Sequence, residues 1–224
     1  MAAADDAPRR VTPPLSPRPE GGAPNAALTL RRELARKALH ISSAAVPVAY
    51  AAGLLSRGVL GAGLLALLAL ALVVEVGRAR SARLRSHFTR ATGALLREHE
   101  HDRWAGATWL LVAFCIAVWL FPAPVAIAAT WAVALGDASA AVVGRWLGRH
   151  RLSPTVAKTV EGSAACAAVS FAGALWVAHL GVAASVVAGL AAAIAEAPAR
   201  PLDDNVRVVL AVGAGILLWR MAFS

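Results

Sequence analysis

The chain has 224 residues, of which 58% are hydrophobic and only 16% are charged, and its mean hydropathy is +0.63. A water-soluble single domain of this size does not normally show this balance, so the composition predicts an integral membrane protein. The formal net charge of +9 could suggest a nucleic-acid partner. The placement of the basic residues, described below, explains that charge without nucleic acid.

Residues 1–29 open the chain with a segment rich in Ala, Pro and Gly, which contains no apolar block. This composition predicts a disordered tail ahead of a polytopic membrane domain over 30–224. Seven apolar runs follow, each near the ~20 residues that cross the hydrocarbon core of a bilayer. We therefore predict an all-α integral membrane bundle of about seven transmembrane helices. The runs lie at about 38–55, 58–77, 104–121, 124–147, 162–180, 182–197 and 206–223.

The basic residues are distributed unevenly between the two sides of this bundle. Of the 22 Lys and Arg residues, 20 lie in the N-terminal tail, in every second connection or, for Arg207, just after the last of these connections. This is the positive-inside pattern, and it predicts that the N-terminus and the connections 78–103, 145–161 and 198–205 are cytoplasmic. These basic connections could also touch anionic lipid. No connection is long enough to fold as a separate domain, so an active site would be assembled from helix ends and these connections.

The start of the first apolar run, ELARKALH, is the first polar cluster. On a helix, Arg36 and His40 are i,i+4 partners, and Lys37 falls on the neighbouring stripe. A basic anchor at the membrane interface would explain Arg36. His40 lies one turn deeper, where an ionisable ring is expected only if it faces the interior of the bundle.

The long connection 78–103 combines apolar and basic residues. Leu84 and Phe88 stand among arginines, a pattern that predicts an amphipathic helix on the membrane surface. The run HEHD at 99–102 could bind a metal ion. Adjacent ligands point in different directions on a helix, however, so a solvated helix entry is the favoured interpretation.

Asp137 lies inside the apolar run WAVALGDASAAVVGRWLG at 131–148. A carboxylate there costs roughly 2.5–3.5 kcal/mol on insertion scales, so it needs either a function or a partner. Later in the same run, Gly144 and Gly148 form a small-xxx-small pair, which predicts close helix packing.

The connection that follows brings cations to the start of the next run. Basic side chains and the free N–H groups of a helix start both favour anions, so this segment predicts a phosphate site. Lys37 and Lys158 are the only two lysines among the 22 basic residues, and a compact ammonium suits contact with phosphate oxygens. We place these residues at the site: Gly136, Arg145, Lys158, Thr159, Glu161, Gly162 and Ser163.

The segment PLDDN before the last run contains Asp203, Asp204 and Asn205, three oxygen donors in a row. An N-cap would account for one of the three. Adjacent carboxylates beside a membrane are better explained by Mg²⁺, which is often bound by one or two carboxylates together with substrate phosphates.

The motifs GDASAAVVGRWLGRH, KTVEGS and PLDDN, together with ELARKALH, resemble the polyprenol kinase family. That family includes dolichol kinase, phytol kinase and CTP-dependent diacylglycerol kinase, and the resemblance covers residues 33 to about 223. It implies an enzyme that transfers the γ-phosphate of CTP, ATP or another nucleoside triphosphate to a lipid alcohol in the membrane, with Mg²⁺. The alcohol would be a polyprenol, a phytol-like isoprenoid alcohol or diacylglycerol.

The resemblance also implies roles for single residues. Asp203 and Asp204 would hold Mg²⁺, and Lys158 would neutralise phosphate charge. Asp137 would either complete the metal site or accept the hydroxyl proton, and His40 joins it among the expected catalytic residues. The implied nucleotide and metal positions are Asp137, Lys158, Glu161, Gly162, Asp203, Asp204 and Asn205, and those near the lipid headgroup or phosphate are Arg36, Lys37 and His40.

Two other functions stay open at this point. A phospholipid cytidylyltransferase would use the same CTP and Mg²⁺ but would release pyrophosphate. A small membrane transporter would also place carboxylates in spans, but it should show broken helices at mid-membrane. The oligomeric state, a homodimer included, is left open.

Overall fold

A computed structural model describes residue 38 and residues 40–92, 104–153, 156–197 and 202–223. The predicted tail, the HEHD run and two predicted site residues, Arg36 and Lys37, lie outside these described residues. The predictions made for them stay predictions.

The protein is mostly helical, as the apolar runs predict. Within the part of the chain that the structure describes, four helices, α2, α5, α6 and α8, are long and apolar enough to cross a membrane, whereas α4 and α7 are apolar but shorter. A helical membrane protein is therefore supported, and the count of seven spans stays a prediction. In chain order the described helices are α1 (Ala45–Ala51), α2 (Arg57–Arg80), α3 (Ala82–Thr92), α4 (Gly106–Leu120), α5 (Ala123–Trp146), α6 (Val160–Val177), α7 (Val182–Glu196) and α8 (Asp204–Phe223).

Local sequence signals set where several of these helices begin. The Ser56 hydroxyl accepts a hydrogen bond from the Val59 N–H at 3.3 Å and caps α2. Pro122 stands at the N-cap of α5, where proline near the start costs no helical hydrogen bond. Such caps satisfy N–H groups that the first turn of a helix leaves without partners.

The connection 145–161 contains a short antiparallel hairpin, which corrects the all-α prediction. Its strands are β1 (Arg151–Ser153) and β2 (Val156–Thr159), and Arg151 pairs with Thr159. A two-stranded hairpin is marginal by itself, so its contacts with the helix ends stabilise it. Because β2 runs directly into α6, the hairpin fixes Lys158 at the start of that helix.

Helices α5 and α6 approach each other closely through glycines. A Cβ atom at Gly162 would lie 2.7 Å from the Ala140 carbonyl oxygen and 3.3 Å from the Gly144 Cα. A Cβ at Gly148 would lie 2.7 Å from the Thr159 Cγ2. The close helix packing predicted for Gly144 is thus confirmed, whereas Gly148 lies beyond the end of α5 and packs against the hairpin residue Thr159.

Both helices also contain one π-helical segment, Ala132–Gly136 in α5 and Gly173–Val177 in α6. Such segments are rare and occur frequently at functional sites. The segment in α5 ends one residue before Asp137, so the irregular turn sets the direction of that side chain.

The amphipathic helix predicted in the connection 78–103 is confirmed for its described part, α3. It follows α2 after a single residue, Ser81, and turns back against the end of that helix. A Cβ at Gly77 would lie 2.5 Å from the Leu84 Cδ2, so the apolar side of α3 packs against α2.

Candidate functional site

Asp137 has a partner within the bundle. The Nδ1 atom of His40 lies 3.9 Å from the Oδ2 atom of Asp137, and the two side chains are 13% and 19% exposed. The sequence prediction that His40 faces the bundle interior is confirmed. At 3.9 Å the pair is an electrostatic contact, because a hydrogen bond between these atoms would be shorter.

The backbone before Asp137 is pressed against α6. A Cβ at Gly136 would lie 2.6 Å from the Ser170 Oγ and 3.3 Å from the Cys166 Sγ. Ser139 donates a hydrogen bond to the Gly136 carbonyl at 2.7 Å, which supports the turn. The predicted site residue Gly136 therefore has a packing role, because a side chain there would separate the two helices.

Lys158 binds the end of α7. Its ammonium lies 2.5 Å from the Glu196 Oε1 and also donates to the Glu196 backbone carbonyl. A cation at a helix C-terminus is favourable, because the last carbonyl groups lack helical partners. The Glu196 side chain is 7% exposed and that of Lys158 is 28% exposed. The Lys158 side chain is therefore partly exposed, while Glu196 fixes the position of its ammonium.

Helix α6 packs against α5, which carries Asp137, and against α7, which carries Glu196. The structure pairs Asp137 with His40 and Lys158 with Glu196. The sequence analysis predicted Asp137, His40 and Lys158 as site residues but missed Glu196.

The start of α6 is held by hydrogen bonds within the protein. The Thr159 hydroxyl accepts from the Gly162 N–H at 3.1 Å, and Thr159 is thus the N-cap. The Glu161 carboxylate accepts from the His150 backbone N–H at 3.3 Å and lies 2.7 Å from the His150 Nδ1. These contacts tie the hairpin to α6, so they are structural roles for three predicted nucleotide-binding residues.

Two other predicted site residues are Ser163, in the first turn of α6, and Arg145, in the last turn of α5. The Ser163 hydroxyl oxygen is buried and has no hydrogen-bond partner among the described residues. The Arg145 side chain is exposed. The hydroxyl and the guanidinium can both donate to a bound phosphate.

Asp203 is the N-cap of α8. Its Oδ1 accepts from the Asn205 backbone N–H at 3.0 Å and from the Asn205 Nδ2 at 2.9 Å. The Asp204 Oδ1 accepts from the same backbone N–H at 3.1 Å. The N-cap interpretation thus accounts for Asp203, and Asn205 has an internal role.

The donor set limits what metal this region could hold. Within the described residues, no group of three or more His, Cys, Asp or Glu side chains could hold a metal ion. Asp203 and Asp204 nevertheless place two carboxylates next to each other in the chain. This set fits Mg²⁺, which commonly takes one or two carboxylates and completes its coordination with phosphates and water.

Comparisons with protein-family models, curated proteins and solved structures found no match. The function must therefore be argued from the motifs and contacts of this chain.

Proposed function

We propose that the protein is a membrane lipid-alcohol kinase. It would transfer the γ-phosphate of CTP, or of another nucleoside triphosphate, to a polyprenol, a phytol-like isoprenoid alcohol or diacylglycerol. The active site would lie at the cytoplasmic ends of the helices. The proposal combines the resemblance of the four motifs with the positions of Asp137, His40 and Lys158.

The observation that carries the proposal is the contact between His40 and Asp137. An acid–base pair inside an apolar bundle is costly and usually marks a functional site. The contact also joins two of the motifs, ELARKALH and GDASAAVVGRWLGRH, which are about 100 residues apart in the chain. Phosphoryl transfer to an alcohol needs a group that accepts the hydroxyl proton, and either member of this pair can do so.

Lys158 supports the phosphate side of the reaction. Transfer of a phosphoryl group depends mainly on positioning and on cations that neutralise charge. Glu196 holds the Lys158 ammonium near the start of α6, which carries Ser163. Arg145 is in the last turn of α5, next to Gly144, which packs against α6. These groups would bind the phosphates, and the exposed part of Lys158 would face them.

Mg²⁺ is an implied cofactor of this reaction. Asp203 and Asp204 would hold it, and when bound it would neutralise phosphate charge. Helix α7 ends at Glu196 and α8 begins at Asp204, so only a short connection separates these two helix ends in the chain. The carboxylate pair is therefore on the same side of the bundle as Lys158.

The alternatives are less well supported. A transporter should contain helices that break at mid-membrane, whereas α5 and α6 continue through their π-helical segments. A cytidylyltransferase would use a similar nucleotide site, so its product must be distinguished by experiment.

The test is to incubate the purified protein in detergent with Mg²⁺ and labelled CTP or ATP. The acceptor panel contains polyprenols, phytol, geranylgeraniol and diacylglycerol. Label from the γ-position that appears in a lipid supports the kinase and identifies the acceptor. Label from the α-position of CTP in a phospholipid product would instead establish a cytidylyltransferase.

A further inference from the structure

Glu75 is a buried carboxylate near the end of α2 that the proposed reaction does not use. Its Oε2 lies 2.5 Å from the Arg78 Nε, and both residues are 5% exposed. Its Oε1 accepts hydrogen bonds from the Ala105 N–H at 2.8 Å and from the Thr108 hydroxyl at 3.0 Å. One carboxylate thus joins the end of α2 to the start of α4.

The same cluster fixes α3. The Arg78 guanidinium lies over the Phe88 ring, 5.1 Å from its centroid. Arg85 donates to the backbone carbonyls of Arg78 and Ala79 at 3.2 and 3.4 Å, which caps the end of α2. Helix α3 is therefore anchored at Phe88 and Arg85 in a defined orientation.

The length of α2 places α3 at the level of the lipid headgroups. A helix of 24 residues is about 36 Å long, which exceeds the ~30 Å hydrocarbon core. Trp104, which is 43% exposed, precedes the residue whose N–H binds Glu75. Tryptophan is enriched at the membrane–water interface, so it marks the same level.

The last residue of α2, Arg80, and the outward side of α3 form a strongly basic surface. Arg80, Arg83 and Arg90 are exposed, and the segment Ala82–Thr92 contains no acidic residue. Arg83 and Arg90 are seven residues apart and lie on one side of the helix, next to the apolar side formed by Leu84 and Phe88. A basic amphipathic helix at this depth matches anionic headgroups in charge and position.

We propose that α3 and the end of α2 form a docking surface for anionic phospholipids, in which Arg80 of α2 and Arg83 and Arg90 of α3 contact lipid phosphates. The Glu75 cluster would hold this surface parallel to the membrane. The inference does not depend on the proposed kinase activity, because it concerns the leaflet that surrounds the protein.

The test measures lipid bound to the purified full chain by native mass spectrometry. The protein is incubated with equal amounts of phosphatidylglycerol and phosphatidylcholine, and separately with inorganic phosphate. The parent protein should retain phosphatidylglycerol in preference to phosphatidylcholine. The variant Arg80→Ala/Arg83→Ala/Arg90→Ala should lose affinity for phosphatidylglycerol by about 5-fold for each arginine removed. These side chains are exposed, so the variant should fold.

The control is Arg149→Ala/Arg151→Ala, which removes two exposed arginines before and within the hairpin, and the losses are compared per arginine removed. It should keep most of the phosphatidylglycerol binding. Three results would overturn the proposal: equal binding of both lipids by the parent protein, no loss in the α3 variant, or equal loss in both variants. Binding of inorganic phosphate that competes with the lipid would identify a free-anion site instead and would also overturn it.

Discussion

The Lys158 ammonium lies 2.5 Å from the Glu196 carboxylate and connects the hairpin to the C-terminus of α7 across 38 positions in the sequence. Glu196 is the more buried partner. The pair therefore determines where the ammonium is held, whereas Lys158 alone provides the positive charge. Substitutions at the two positions should have different kinetic effects.

Glu196→Gln keeps the side-chain shape but removes the anion. The backbone carbonyl of residue 196 still accepts from Lys158, so the ammonium stays nearby but is held less firmly. We expect turnover to fall by less than the ~10² that a 1 Å misplacement can cost. The KM for nucleotide should not rise, because the cation is retained. Steady-state kinetics measure turnover and the nucleotide KM separately. A rise in nucleotide KM with unchanged turnover would show that the pair does not position Lys158.

Lys158→Ala should lower turnover and raise the KM for nucleotide together, because a cation near the phosphates acts in binding and in the transition state. Lys158→Arg should restore activity only in part, since the planar guanidinium is larger and directs its donors differently. The combination Lys158→Ala/Glu196→Gln should be no worse than Lys158→Ala, as expected for coupled residues. Full activity of the alanine variant would remove Lys158 from the site.

Gly162→Ala should destabilise the protein. The new methyl group would meet the Ala140 carbonyl and the Gly144 Cα at the contact between α5 and α6, and overpacking costs about 1–3 kcal/mol. Gly63→Ala in α2 is the matched control, because nothing lies within 4 Å of its Cβ position. Thermal unfolding in detergent measures both variants. Equal midpoints for the two would mean that the helices separate easily at this contact.

The predicted topology can be tested by cysteine labelling in a Cys115→Ala/Cys166→Ala background. Single cysteines replace exposed residues in the three predicted cytoplasmic connections, Arg83, Arg149 and Leu202, and Leu54 serves as the control on the opposite side. An impermeant reagent added to intact cells should label position 54 alone, because 20 of the 22 basic residues lie on the other side. Labelling of position 83, 149 or 202 by the reagent added outside would show that the predicted topology is wrong.

The helices could be placed from the sequence because apolar runs are a local signal. The predicted run 206–223 corresponds to α8, Asp204–Phe223, and the predicted run 58–77 corresponds to α2, Arg57–Arg80. The hairpin was missed because its strands are only three and four residues long and stand among arginines. So short an element depends on its contacts with the helix ends more than on its own residues.

The ion pairs were harder to predict than the helices. Which residue binds Lys158 depends on the packing of α6 against α7, and no local pattern records that contact. A signal for the partner was nevertheless present. Glu75 and Glu196 are carboxylates at the ends of apolar runs, so the reasoning applied to Asp137 would have singled out both. The roles of Asp203 and Asp204 in metal binding stay predictions.

In the proposed reaction, Asp137 serves phosphoryl transfer. Asp137→Asn keeps the shape of the side chain and removes its charge, so expression and membrane insertion should equal or exceed those of the parent protein. Turnover at saturating nucleotide and Mg²⁺ should fall by at least ~10², the lower end of the cost of losing a general base. The matched control is Thr130→Val, which removes a buried hydroxyl from the same helix. That hydroxyl donates to the carbonyl groups of Ala126 and Ile127, at 2.8 and 3.1 Å.

The decisive measurement is the transfer of γ-label from CTP or ATP to the lipid-alcohol panel, expressed per correctly folded protein, for the parent, Thr130→Val and Asp137→Asn. We expect labelled lipid with the first two proteins and a loss of at least ~10² with the third. Parent-like transfer by Asp137→Asn would show that this carboxylate serves packing and that the catalytic carboxylates lie elsewhere, at Asp203 and Asp204. Absence of labelled lipid with the parent protein, for every acceptor and both nucleotides, would contradict the kinase proposal itself.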